Sequence, residues 1–274
     1  MDILDKIIAH KKAEIAEKSS LEPVKLLEKS IYYDSQVVSM KKYIKREDKT
    51  GIIAEFKRKS PSKGDININA SVEAVTIGYM QAGASALSIL TDREFFGGKN
   101  EDLTMARKFN FCPILRKDFI IDEYQIIEAK SIGADCILLI AAALDPKRLK
   151  ELASFSKSLG MEVLMEVHDA QELDASINEY LDLIGVNNRS LKTFEVSLDT
   201  SYDLVDRIPS GFVKISESGI SQPETLIDLK KAGFEGFLIG ENFMKSSRPH
   251  QAALNFMNAY RKLIKEIQPI VNLK

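Results

Sequence analysis

Four times along the chain a polar amphipathic segment ends at a glycine and runs directly into an apolar one: QAGASALSIL (81–90), SIGADCILLI (131–140), SLGMEVLMEV (158–167) and KAGFEGFLIG (231–240). Glycine takes the left-handed conformation that stops a helix without the steric cost of a Cβ, so each unit reads as helix, stop, strand. The same reading of the other apolar runs predicts strands near 51–57, 84–91, 112–117, 134–141, 161–167, 182–187, 212–217 and 236–240. Helical patterns lie between them, among them SVEAVTIGYMQ, DEYQIIEAKS, DPKRLKELASFSKS, SQPETLIDLKKA and a last one over about 248–266. Eight strand-then-helix units in about 220 residues predict an α/β fold, a (β/α)8 TIM barrel. An open doubly wound sheet is the alternative, because strand order is not written in the pattern.

The first 48 residues or so stand outside this repeat. Ile3, Leu4, Ile7, Ile8 and Ile15 recur at helical spacing before Pro23 interrupts. They predict a helix that packs on the barrel, or one that closes an end of it and helps to form the site. The expected organisation is one barrel domain over 1–274, of which 1–48 is an N-terminal helical extension.

Composition narrows the function classes. With 274 residues, 45% hydrophobic and 28% charged, the chain has ample material for a large core. A formal net charge of -2 gives no general attraction to nucleic acid or to an anionic membrane, so an anionic ligand must be held by a local site. Cys112 and Cys136 both sit in apolar runs, which suits buried reduced thiols. The charged N-terminal segment lacks the apolar core of a signal peptide, and no apolar run is long enough to span a bilayer. The expectation is a cytoplasmic protein with no nucleic-acid or membrane partner.

In a parallel barrel the functional groups gather at the C-terminal ends of the strands. The polar residues there are Glu55 and Lys57; Arg116, Lys117 and Asp118; Glu166 and His168; Asn187, Asn188 and Arg189; Ser216, Glu217, Ser218 and Gly219; and Gly240, Glu241 and Asn242. Side chains two apart share a face, so Ile52, Ala54 and Phe56 are expected to meet the helices while Ile53, Glu55 and Lys57 face the axis. Likewise Ile184 and Val186 face out, and Asn187 and Arg189 face in. Inward charges need partners: Lys57, Lys117 and Arg189 call for Glu55, Glu166 and Glu217 or for an anionic ligand. Arg58, Lys59, Ser60 and Ser62 extend the first strand into a loop suited to anions, with Pro61 stiffening its turn. Gly219 and Gly240, after the seventh and eighth strands, point to phosphate bound by backbone N–H groups. His10 and His250 have no partner motif, and no metal site is expected.

These residues resemble those of the indole-3-glycerol phosphate synthase family. The matching motifs are IIAEFKRKSPSKG (52–64), SILTDREFFGG (88–98), PILRKDFIID (113–122), LLIAAAL (138–144), MEVHD (165–169), IGVNNRSLKTFEV (184–196), ISESGI (215–220) and FLIGENFM (237–244). The resemblance implies a TIM barrel with N-terminal helical structure over the active-site mouth. It implies a carboxy-lyase of tryptophan biosynthesis that acts on a small phosphorylated substrate, needs no cofactor and works as a monomer.

The resemblance also implies roles. Lys117 matches a general acid. Lys57 matches a lysine that binds the substrate's anionic groups and shares in proton transfer. Glu166 matches an acid/base for loss of the hydroxyl, and Glu55 holds the neighbouring lysines. Asn187 orients the substrate, and Arg189 offers a guanidinium to its carboxylate. Glu217 and Ser218 match further site positions, with Ser218, Gly219, Gly240 and Glu241 around the phosphate. Leu90, Phe96, Phe119, Leu138, Ile140 and Leu191 would wall the aromatic ring. Phosphate binding is assigned to backbone N–H at Glu241, with its carboxylate expected to turn away. His168 is expected to be a loop residue or one standing behind the site. A Schiff-base aldolase or sugar-phosphate isomerase, using Lys117 or Lys57, and a non-catalytic binding barrel are the competing readings.

Overall fold

The computed structural model describes residues 3–271. Within them eight parallel strands close into a barrel: β1 (Ile52–Phe56), β2 (Ala86–Leu90), β3 (Ile114–Lys117), β4 (Cys136–Ile140), β5 (Glu162–Val167), β6 (Leu183–Asn187), β7 (Val213–Glu217) and β8 (Gly236–Ile239). Each strand pairs with its sequence neighbours, and β1 closes the ring against β8 with Ile53 opposite Leu238. Closure decides between the two predicted architectures: no strand of the parallel sheet is left at an edge, so the open sheet is excluded. The strands fall within two residues of their predicted bounds, because the apolar runs end where strands end.

The glycine stops behave as expected. Gly83 (φ 101°) and Gly233 (φ 116°) cap α4 (Val72–Ala82) and α10 (Pro223–Ala232) in the left-handed conformation. Helix starts carry matching chemistry. Asp122 and Gln125 form a reciprocal capping box on α6 (Glu123–Ser131), and Asp145 caps α7 (Pro146–Ser158) ahead of a proline in its first turn.

Strand alternation splits the core into two shells. Ile52, Ala54, Phe56, Ile184 and Val186 pack outward with the helices, whereas Ile53, Leu115, Leu138, Leu164, Leu183, Ile215 and Leu238 fill the barrel axis. Cys112 and Cys136 are buried free thiols, and burial pushes the Cys112 pKa up to about 12.

The N-terminal segment reaches both ends of the barrel. Helix α1 (Ile3–Leu21) lays Leu4 and Ile7 on the inner cluster at the C-terminal mouth. It is clamped there by Lys11, 1% exposed, whose Nζ lies 3.0 Å from Asp92 Oδ2, 2.9 Å from Asp118 Oδ1 and 2.9 Å from Glu14. The chain then descends past α6, with Leu27 against Tyr124 and Ile127. Helix α3 (Met40–Ile44) closes the opposite end. Met40 and Ile44 join Ala86, Cys136 and Val213 there, and Glu162 accepts from Ser39 Oγ (2.5 Å) and Lys41 N (3.0 Å). Of the two readings of the extension, closure of an end is the one observed.

Arg116 departs from expectation. It lies beside Lys117 on β3 but on the opposite face, so it points into the helix layer, where it is 1% exposed. Its guanidinium donates to Glu128 Oε2 (2.5 Å), the Gln125 carbonyl (2.8 Å), Thr91 Oγ1 (3.0 Å) and Asn100 Oδ1 (3.2 Å). Arg58, also expected at the site, keeps the outward parity of Phe56, lies over its ring and pairs with Asp102. Lys59 donates to the Glu94 carbonyl (2.5 Å). Replacing Arg116 with leucine strips a buried cation from Glu128 and should cost about 3–5 kcal/mol of folding free energy. Urea unfolding followed by circular dichroism measures it, and a loss under 1 kcal/mol, about that of an exposed pair, rejects the assignment.

Candidate active site

Inward positions change character from the bottom of the barrel to the top. Ile53 is followed by Glu55, Leu115 by Lys117, Leu164 by Glu166, Leu183 by Gly185 and then Asn187, and Ile215 by Glu217. The last inward residues of β1, β3, β5, β6 and β7 therefore form a polar floor beneath α1. Above it lies a cavity of about 140 Å³. Of the seventeen residues expected at the site, fifteen line this cavity: Glu55, Lys57, Leu90, Phe96, Lys117, Phe119, Leu138, Ile140, Glu166, Asn187, Arg189, Leu191, Glu217, Ser218 and Glu241. Gly219 and Gly240 do not reach it; they line an adjoining cavity of about 350 Å³ with Ser218, Glu241, Lys57, Lys63 and Lys245.

Lys117 is the centre of the floor. Its Nζ donates to Glu166 Oε2 (2.5 Å) and Glu217 Oε2 (3.0 Å). Burial by itself lowers the pKa of this ammonium, but Glu166, Glu217 and Glu55 outweigh it and hold it above the ordinary lysine value. One ammonium cannot neutralise two carboxylates, and they divide unequally. Burial pushes Glu166 up, but Lys117, His168 and the hydrogen bonds from Lys117 and Asn187 pull it below the usual carboxylate range. For Glu217 burial prevails over Lys117, and the charges of Glu166 and Glu55 add to it, so its carboxyl is raised to about 7. Glu217 Oε1 is buried against Gly185 with no hydrogen-bond partner, an acceptor, or a hydroxyl when protonated.

Two glycines make room for these acids. A Cβ on Gly185 would lie 2.2 Å from Glu217 Oε1, and one on Gly240 would lie 2.4 Å from Glu55 Oε1. Glu55 Oε1 pairs with Lys57 Nζ at 2.9 Å. Asn187 ties the opposite wall together. Its amide donates to Glu166 Oε1 (3.1 Å) and its carbonyl accepts from Ser218 Oγ (2.9 Å) and Arg189 N (3.0 Å). Ser218 holds this bond at φ 67°, a left-handed conformation uncommon for a residue with a Cβ.

Two expectations are corrected by side-chain direction. Glu241 does not turn away: its Oε2 lies 3.1 Å from Arg189 Nη2 and its Oε1 lies 3.8 Å from Lys63 Nζ. Arg189 is accordingly engaged by Glu241 in place of an open approach to a ligand. Asn188, between the inward Asn187 and Arg189, faces out and bonds Ser216 Oγ and the carbonyls of Glu217 and Ser218. His168 stands behind Glu166, with Nε2 3.4 Å from Glu166 Oε1 and Nδ1 3.1 Å from Glu172 Oε2.

Sequence reasoning left several lining residues unassigned. Ile3, Leu4 and Ile7 roof the cavity from α1, and Phe194 and Leu238 complete its wall. Helical spacing marked the first three as one apolar face, but nothing local says which end of the barrel that face meets. Phe194 carried no signal; it sits at φ 61° in the loop after β6.

A family model described as indole-3-glycerol phosphate synthase matches residues 4–256. An indole-3-glycerol phosphate synthase of Bacteroides thetaiotaomicron is 49% identical over 258 residues, covering 94% of this chain and 98% of the relative. One from Bordetella pertussis is 43% identical over 251 residues, covering 90% and 96%. Among solved structures, one described as native KDPGal has a TM-score of 0.58 at 16% identity, covering 81% of this chain and 97% of that one. The 3-hexulose-6-phosphate synthase of Salmonella typhimurium has a TM-score of 0.58 at 12% identity, covering 77% and 98%. At such identities the two structures speak to the barrel fold alone. The match over nearly the whole chain, joined to relatives at more than 40% identity, makes this chain a member of the indole-3-glycerol phosphate synthase family.

Proposed function

We propose that this chain converts 1-(2-carboxyphenylamino)-1-deoxy-D-ribulose 5-phosphate into indole-3-glycerol phosphate, carbon dioxide and water, the ring-closing reaction of tryptophan biosynthesis. The observation that carries the reading is the Lys117 ammonium held between Glu166 and Glu217 at the floor of a cavity with an apolar wall.

The chemistry asks for a proton donor at a ketone, a dry face for an aromatic ring and anchors for two anions. Lys117, kept charged by its carboxylates, protonates the ketone oxygen as the ring carbon attacks it. The cationic ring then accepts the electron pair freed by decarboxylation, so the reading requires no metal or organic cofactor. Glu166 serves as acid/base in the dehydration, oriented by Asn187. Glu55 holds Lys57 in register, and Lys57 faces the substrate's anionic groups. Leu90, Phe96, Phe119, Leu138, Ile140 and Leu191 hold the aromatic ring.

The adjoining cavity takes the phosphate through the backbone at Ser218, Gly219 and Gly240, with Lys57, Lys63 and Lys245 around it. Glu241, which also lines it, shares Lys63 and Arg189 with the incoming anion. Since α1 contributes Ile3, Leu4 and Ile7 to the pocket, the chain is read as one domain. The reading carries with it the expected monomer and the expected cytoplasmic location. A Schiff-base aldolase is disfavoured, because an amine held in its charged form by two carboxylates is a poor nucleophile.

Lys117→Met should lower kcat by about 10²- to 10⁴-fold while the far-ultraviolet dichroism stays native; indole fluorescence from the product reports the rate. A raised Glu217 pKa means the neutral acid is the form present below pH about 7, and its ionisation adds negative charge beside an anionic substrate. Hence kcat/KM should fall as pH rises through this range, and Glu217→Gln should flatten that limb; a limb unchanged in the variant counts against the assignment. Gly185→Ala, whose Cβ meets Glu217 Oε1, should displace that acid and lower kcat/KM by about tenfold. An alanine enzyme with the native value would show that Glu217 has no fixed place in turnover.

A further inference from the structure

The reaction consumes protons, and the pocket has to be resupplied. Ring closure puts one proton on the ketone oxygen, and departure of that oxygen as water takes a second. The neighbouring carbon returns one when the indole double bond forms, while the pair from the broken carbon–carbon bond of the carboxylate goes into the ring. Two protons in and one out leave a net uptake of one per turnover, matching the negative charge lost when a carboxylate leaves as carbon dioxide.

The roof is a poor entrance for that proton, since α1 places Ile3, Leu4 and Ile7 over the cavity. A second, polar cavity of about 890 Å³ lies beside the first and is lined by His168 and Glu172. Asn187, Leu191 and Leu4 border both cavities. Glu166 lines only the first, while His168 and Glu172 line only the second. The His168 ring bridges them.

From the outside inward, Glu172 Oε2 is 3.1 Å from His168 Nδ1, His168 Nε2 is 3.4 Å from Glu166 Oε1, and Glu166 Oε2 is 2.5 Å from Lys117 Nζ. Glu172 also accepts from the backbone N–H of His168 (2.8 Å), which fixes the ring between the two acids. His168 Nε2 is buried 3.4 Å from Glu166 Oε1 and makes no hydrogen bond here, so a small turn of the ring towards that carboxylate meets no competing partner.

We propose that Glu172 and His168 form a proton relay that recharges Lys117 through Glu166 from the outer cavity. The proposal rests on the ring-closing reading above. A proton passed from Glu172 to Nδ1 lets the one on Nε2 move to Glu166 Oε1; rotation of that carboxyl carries it to Lys117, a flip of the imidazole ring restores the proton to Nε2, and water in the outer cavity reprotonates Glu172. The charges that face the imidazole are Glu166, Glu172 and Glu217, with Asp169, Lys192 and Glu195 around the outer cavity. Burial lowers the imidazole pKa, but the hydrogen bond to Glu172 and the charges of Glu166, Glu172 and Glu217 outweigh it and raise it above the ordinary histidine value. His168 touches no reacting atom in this scheme; it acts through Glu166.

The test compares native chain, His168→Gln and Glu172→Gln in weakly buffered solution, with stopped-flow and steady-state indole fluorescence. A relay predicts a first turnover at the native rate, later turnovers slowed about tenfold with KM unchanged, and recovery on adding imidazole. Glu172→Gln keeps an acceptor for the His168 backbone N–H and should show the same pattern more weakly; it decides alone should His168→Gln lose the fold. Steady-state rates equal to native overturn the relay, as does a loss that slows the first turnover equally and that imidazole leaves unchanged. Absence of indole product from the native chain would overturn the functional reading itself, an outcome distinct from failure of the relay.

Discussion

A single ammonium on the barrel axis, Lys117, has to be kept charged in a place where water does not reach it freely. Burial opposes the charge, and only carboxylates within 2.5–3.0 Å restore it. That requirement brings Glu166 and Glu217 to the floor of the pocket, and two acids around one base leave one of them short of compensation. Glu217 is that one, with a raised pKa and an unpartnered oxygen. Room for the acids comes from Gly185 and Gly240, and the orientation of Glu166 comes from Asn187, itself bound by Ser218 in a left-handed conformation. Much of the local irregularity at the top of the barrel follows from that one buried charge.

The second structural constraint is closure. An eight-stranded barrel is filled by its own side chains in the middle, but its two ends need covers, and the segment before β1 supplies both. At the top the cover is held by a buried ion cluster: Lys11 of α1 against Asp92 and Asp118, which follow β2 and β3. Asp118 also takes a hydrogen bond from Thr91 Oγ1, and burial is outweighed by Lys11 and Arg116 so that its carboxyl stays ionised. The roof over the pocket is thereby fastened to the residue next to Lys117. At the bottom, α3 uses two apolar side chains and bonds from its first turn to Glu162. An apolar plug suits an end with no chemistry to perform.

Much of this was legible in the chain. Strand bounds, the eightfold repeat and the direction of Glu55, Lys57, Lys117, Glu166 and Asn187 follow from period-two alternation and glycine stops, which are local properties of the backbone. The same parity, carried one residue further, would have sent Arg116 and Arg58 to the outer layer, where they stand. Other features have no local signature. That Glu241 meets Arg189 depends on where two loops 52 residues apart are brought together.

The sequence by itself therefore determined which elements form, which face of each strand meets the axis and which residue types gather at its polar end, because covalent geometry and steric limits act over a few residues. Only the tertiary structure decided barrel over open sheet, the placing of α1 as a roof and α3 as a plug, and the partner of each charge. Those outcomes are set by distances between groups far apart in the chain, and the pKa of a carboxylate such as Glu217 depends on such distances and on the water they exclude.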